Sequence, residues 1–113
     1  MKTWTIRFRR KDKEIFDLVR NGAKDIETRA ATPKYQKIKV GDNLVFSCGG
    51  EKFTKKVYRV AHYRTLAELF KNEELIRIMP WVNSKEEAER IIFSFSGYEG
   101  KIEKFGIVAW EFK

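Results

Sequence analysis

Asn21-Gly22-Ala23-Lys24-Asp25-Ile26-Glu27-Thr28-Arg29 joins an amphipathic helix to a run that reads as a strand, and the rest of the chain is organised around that join. On the helix side Ile15, Leu18 and Val19 supply one apolar face, Phe16 widens it, and Gly22 is placed to stop it. On the strand side successive side chains alternate, so Glu27 and Arg29 share a face while Thr28 takes the other. A strand that begins by Asp25 adds Asp25 to that face and leaves Lys24 at the entry turn. The pattern Gly-x-Lys-x-x-Glu-x-Arg then gathers a polar site that can donate and accept hydrogen bonds. The same charges also fit a solvated edge strand in a chain that is 35% charged.

Upstream, Trp4, Ile6 and Phe8 alternate with Thr3, Thr5, Arg7 and Arg9 in a half-buried first strand, and Asp12 offers an N-cap. Downstream, Pro33 and its neighbours read as a loop, and Gly41-Asp42 breaks the chain before the apolar run Leu44-Val45-Phe46. Gly49-Gly50 reads as a hairpin turn into a long strand from Lys52 to about Tyr63. Alternation puts Phe53, Val57 and Ala61 on one face of it and Tyr58 and Val60 on the other. Thr65-Leu66-Ala67-Glu68 and Ser84-Lys85-Glu86-Glu87 are capping-box signatures, each opening a helix. Ala88, Ile91, Ile92 and Phe95 make the second helix's stripe, and Gly97 ends it. Gly100 and Gly106 bracket a loop or hairpin before Val108, Trp110 and Phe112 alternate in a last strand.

The predicted order is β–α–β–β–β–α–α–β. Strands outnumber helices without regular crossovers, which argues against a doubly wound parallel sheet. The expectation is an α+β fold in one domain over residues 1–113: a small, mixed, mostly antiparallel barrel with helices packed at its ends.

The motif at Lys24 and the Gly41-Asp42 turn resemble the ASCH domain family, small barrels of the PUA-like class. So do Lys37-Ile38-Lys39-Val40 before that turn, Tyr63-Arg64-Thr65-Leu66-Ala67-Glu68-Leu69, and the closing Gly106-Ile107-Val108-Ala109-Trp110-Glu111-Phe112.

Composition narrows the function classes. The lone cysteine, Cys48, excludes an internal disulfide and a cysteine zinc cluster, and reads as a structural thiol. The lone histidine, His62, excludes multi-histidine metal sites and, unless it serves itself, most catalytic triads. No cofactor and no metal are expected. No apolar run approaches the ~18 residues of a membrane helix, and the early charges do not suit a secretory signal, so no membrane partner and a cytoplasmic location are expected. The net charge is +8. Residues 1–40 carry twelve Lys/Arg against five Asp/Glu, the remainder twelve against eleven. That asymmetry points to a polyanionic partner.

The resemblance implies an RNA-, nucleotide- or nucleoside-binding protein with a basic cleft between the first helix and the barrel. There Lys24 and Arg29 would meet a phosphate or a base edge, and Glu27 would accept from an exocyclic amine or hold Arg29. Arg7 and Arg9 would add electrostatic attraction. Tyr35 and Trp81 read either as stacking residues or as ordinary packing. The alternative is a small hydrolase, either like the family's N4-acetylcytidine amidohydrolases or a ribonuclease. Its catalytic residues would be Lys24, Glu27 and Glu74, with Glu73 competing for the third place. The amidohydrolase pattern has Thr where Glu27 stands. A carboxylate so close to Lys24 is expected to favour the ammonium, which weakens the case for a lysine base.

Overall fold

The computed structural model describes residues 1–113. Its strands are β1 (Thr3–Phe8), β2 (Ile26–Ala30), β3 (Asn43–Cys48), β4 (Glu51–Tyr63) and β5 (Ile107–Phe112). Its helices are α1 (Lys13–Asn21), α2 (Leu66–Asn72), α3 (Leu75–Ile78), α4 (Lys85–Ser94) and α5 (Tyr98–Phe105). The strands form one curled sheet in the order β1-β3-β4-β5-β2, with β1 and β3 parallel and every other pair antiparallel. The edge strands β1 and β2 do not pair, so the sheet is a half-barrel open on that side, flanked by helices as expected for a PUA-like fold.

The sheet separates two cores. On its concave side Ile6, Phe16, Val19, Phe46 and Trp110 pack together, so α1 lies against β1, β3 and β5. On the other side Ile26, Ile107 and Ala109 meet Leu69, Ile78, Ile92 and Ile102, which places α2 to α5 over the β4–β5–β2 half. The last strand is therefore buried on both faces. The outward face of β1, β3 and the first half of β4 is left without a helix over it.

Both capping boxes form. Thr65 Oγ1 accepts from the Glu68 N–H at 3.2 Å and Ser84 Oγ from the Glu87 N–H at 3.1 Å, while each Glu reaches back to the backbone N–H before its cap. Asp12 does not cap α1: its carboxylate is held by Arg9 Nε at 2.8 Å. The predicted loop between Gly100 and Gly106 is the helix α5, because only Gly100 lies inside it while Gly97 and Gly106 stand at its two ends with positive φ. The faces of β4 also differ from simple alternation. A bulge between Val57 and Arg59 adds one residue, so Val57 and Val60 both belong to the concave core and Ala61 falls opposite Ala109 on the other side.

Candidate functional site

Gly22 ends α1 in the left-handed conformation, and the Lys24 N–H then bonds Leu18 O at 3.0 Å. This turn drives Lys24 inward beneath α3. Its Nζ donates to Ile26 O and Ile78 O, both at 2.6 Å, and meets Glu27 Oε1 at 3.1 Å. Three acceptors match the three N–H groups of an ammonium. Lys24 is 2% exposed and Glu27 6%, so charges expected to stay near water are buried.

Glu27 stands opposite Trp110 in the β2–β5 ladder and Arg29 opposite Val108, so both face the concave side. Arg29 Nη2 donates to Glu27 Oε2 at 3.3 Å and to Arg7 O at 3.4 Å. Its guanidinium lies 5.6 Å from the Phe8 ring centroid. Burial alone would raise the Glu27 carboxyl, but the Lys24 and Arg29 cations outweigh it and hold it below the ordinary carboxylate range. For Lys24 burial wins: it pulls the ammonium below the usual lysine range against the pull of Glu27, contrary to the expectation from sequence.

These groups open onto a cavity of about 250 Å³ on the unpaired side of the half-barrel. One wall is Arg7, Phe8 and Arg9 at the end of β1, with Asp12 and Ile15 beyond. A second is Lys24, Glu27, Thr28 and Arg29. The third is built by the helices α3 to α5 and the turns between them: Ile91 and Tyr98 stand on α4 and α5, and Met79, Trp81 and Phe95 on the turns. Arg9 pairs with Asp12 and lies 5.3 Å from the Phe95 ring centroid, so each of two guanidiniums meets an aromatic ring at the cavity. Burial pushes the Tyr98 phenol up, keeping it a neutral donor.

Of the residues singled out from sequence, Lys24, Glu27, Arg29, Arg7, Arg9 and Trp81 line this cavity. Tyr35 does not; its ring packs edge-on against Trp110 at 5.5 Å. Glu74 is exposed and also off the cavity, while Glu73 is turned toward Arg59 and Tyr63. Asp25 leaves the Glu27 face and pairs with Arg77 at 2.9 Å, because the strand begins one residue later than expected. His62 Nε2 lies 2.9 Å from Phe105 O, outside the cavity. No three His, Cys, Asp or Glu side chains come together as a metal group would require. Beyond Trp81, the helical wall is not foreseen from the sequence. Its one signal was the width of the α4 stripe, where Ala88 and Ile92 are buried but Ile91 and Phe95 stay half-exposed to the cavity.

Fold and site together define a class: a small α+β half-barrel whose open side holds one cavity of mixed cationic and aromatic lining. The chain belongs to the ASCH domain family, whose model matches residues 11–113. Among solved structures it is similar to the crystal structure of hypothetical protein PH0355, with 30% identity and a TM-score of 0.86 over 100% of this chain and 98% of that one. It is also similar to the solution NMR structure of protein PF0455 from Pyrococcus furiosus, with 31% identity and a TM-score of 0.76 over 98% and 96%. A comparison with curated proteins gave no match. No helix is long and apolar enough to cross a membrane.

Proposed function

We propose that the protein binds RNA or a nucleotide, with the cavity between β1, α1, β2 and the helical wall taking one base and its phosphate. The observation that carries this reading is the pairing of cations with aromatic rings around one small cavity: Arg29 beside Phe8, Arg9 beside Phe95, and Trp81 at the rim, 37% exposed. A planar base fits between such faces, and guanidinium groups suit phosphate oxygens in a bidentate way. At about 250 Å³ the cavity lies just under the usual range for a small-molecule site, so it has room for one nucleotide unit and no more.

Within that reading Lys24 changes role. All its N–H groups are taken up inside the protein, so it holds Glu27 and α3 in place, while Arg29 and Arg9 keep donors for a ligand. Glu27 Oε2 accepts only from Arg29 and retains a lone pair for an exocyclic amine. The hydrolase alternative has less support. A Lys24 base would have to release a proton shared with one of three acceptors, and Glu74 stands away from the cavity. Release of cytidine from N4-acetylcytidine would revive it.

The test is titration with nucleoside monophosphates and single-stranded RNA at two salt concentrations. Arg29→Gln is expected to weaken binding about tenfold, as loss of a charge-assisted hydrogen bond implies, and Trp81→Ala to weaken RNA more than phosphate. Parent-like binding by both variants would rule the cavity out.

A further inference from the structure

The outward face of β1, β3 and the first half of β4 carries side chains that neither core uses. The ladders align them in rungs. Thr3, Asn43 and Lys56 form one; Arg7, Ser47 and Lys52 form another; two threonines and a valine lie between. Thr3, Arg7, Lys52 and Lys56 are exposed and the β3 positions half-buried, so no helix covers the face. None of these side chains is acidic. The nearby carboxylates point elsewhere: Glu51 is held by Lys13 and Arg20 on the α1 side, and Asp42 by backbone N–H groups and the Trp4 indole.

Two further features continue the surface. At its far end the bulged Tyr58 is 49% exposed, with Lys113 Nζ 4.9 Å from its ring centroid. At its near end Arg7 also lines the cavity and enters no ion pair. Lys52 and Lys56, four residues apart on one strand, are separated by roughly 13 Å. The surface thus runs from the cavity mouth over hydroxyl, amide and cationic groups to an exposed aromatic ring.

From this arrangement we propose that the face is a track for the backbone of single-stranded RNA, whose one unstacked nucleotide sits in the cavity while phosphates cross Lys52 and Lys56 and a distal base stacks on Tyr58. It rests on the nucleotide reading of the cavity and names its partner as a strand longer than the cavity. Charge complementarity selects a polyanion, and the hydroxyl and amide groups suit ribose and phosphate oxygens. An exposed ring flanked by cations suits a strand whose bases are free to stack, which a duplex does not offer.

The experiment is fluorescence anisotropy of a labelled hexauridylate at about 50 and 200 mM salt, beside titration with uridine monophosphate. The double variant K52Q/K56Q is expected to bind the hexauridylate about tenfold more weakly at the lower salt. Its slope of log affinity against log salt should flatten by about 1.4, and its affinity for the mononucleotide should not change. Tyr58→Ala should cost at least about fivefold for the hexauridylate alone. If K52Q/K56Q keeps the parental affinity and slope while Arg29→Gln still loses the mononucleotide, the track is wrong and the cavity reading stands. If the parent ignores the mononucleotide but K52Q/K56Q loses the hexauridylate, the cavity reading falls and the face remains. A duplex of equal length held as tightly as the single strand would overturn the assignment.

Discussion

Lys24 and Glu27 show how far a residue's surroundings can reverse what its type suggests. From sequence they are a charge at an entry turn and a charge on the strand that follows it. In the fold they are a buried ion pair: the Ile26 and Ile78 carbonyls and Glu27 take up the Lys24 ammonium, and Glu27 is shared with Arg29. Their convergence with Arg29 was legible from the i, i+3, i+5 spacing; their burial was not, since it depends on α3, more than fifty residues away in sequence. Removing one partner strands the other. Glu27→Ala is expected to destabilise by about 3–5 kcal/mol, read from the urea midpoint, whereas replacing Lys24 and Glu27 together by apolar residues should cost less than the two singles summed. Equal or greater cost for the double would mean the pair is uncoupled. Asp42 gives the pH counterpart. The Lys2 N–H, the Trp4 indole and the Lys39 N–H hold its carboxyl at about 2. A depressed carboxyl contributes stability that is present above its unfolded value of ~3.9 and is lost as pH falls toward 2. Asp42→Asn should therefore flatten the stability profile between about pH 4 and 2. An unchanged acid limb would remove Asp42 from that account.

At the scale of elements, β1 was legible because it is half-buried and alternates, β5 from its alternating bulky residues although both its faces are buried, and α2 and α4 because their caps are written in Thr65/Glu68 and Ser84/Glu87. What escaped involves glycine and the bulge. Gly97, Gly100 and Gly106 look alike in sequence yet act differently. The first and last adopt positive φ at the ends of α5, and Gly100 sits within it, exposed and with open space where a Cβ would go. The β4 bulge left no mark in the pattern either, since Val57, Tyr58 and Val60 are all acceptable strand residues. Two substitutions of the same type should therefore act with opposite sign. Gly106 has φ +83° and ψ −164°, a region essentially reserved for glycine, and a Cβ there would lie 2.5 Å from Tyr63 O and 2.8 Å from His62 Nε2. Gly106→Ala should lose at least about 1–3 kcal/mol from backbone strain before the clash is counted. Gly100→Ala should gain about 0.5–1 kcal/mol by improving a helix interior. Matched thermal melts decide it, and a stable Gly106→Ala protein would mean that β5 can shift at its start.

For the molecule as a whole, the charge asymmetry acquires a location. The basic first forty residues form β1, α1 and β2, which are two walls of the cavity and one strand of the uncovered sheet face. A net charge of +8 would by itself draw any polyanion to the surface, so position must be separated from sum. Lys71 and Lys85 make this possible. Both are exposed, one on α2 and one at the start of α4, and neither enters an ion pair. Lys71→Gln with Lys85→Gln lowers the net charge by the same two units as K52Q/K56Q. If RNA is held where the cavity and the sheet face lie, the Lys71/Lys85 variant should keep the parental affinity and salt slope for single-stranded RNA, because a contact that releases no counterion leaves the slope unchanged. Charges more than about 10 Å from the strand are also largely screened at 0.1 M salt. Equal weakening by the two double variants would instead mean that attraction is spread over the whole surface, and that the alignment of Arg7, Lys52 and Lys56 across the strands has no part in it.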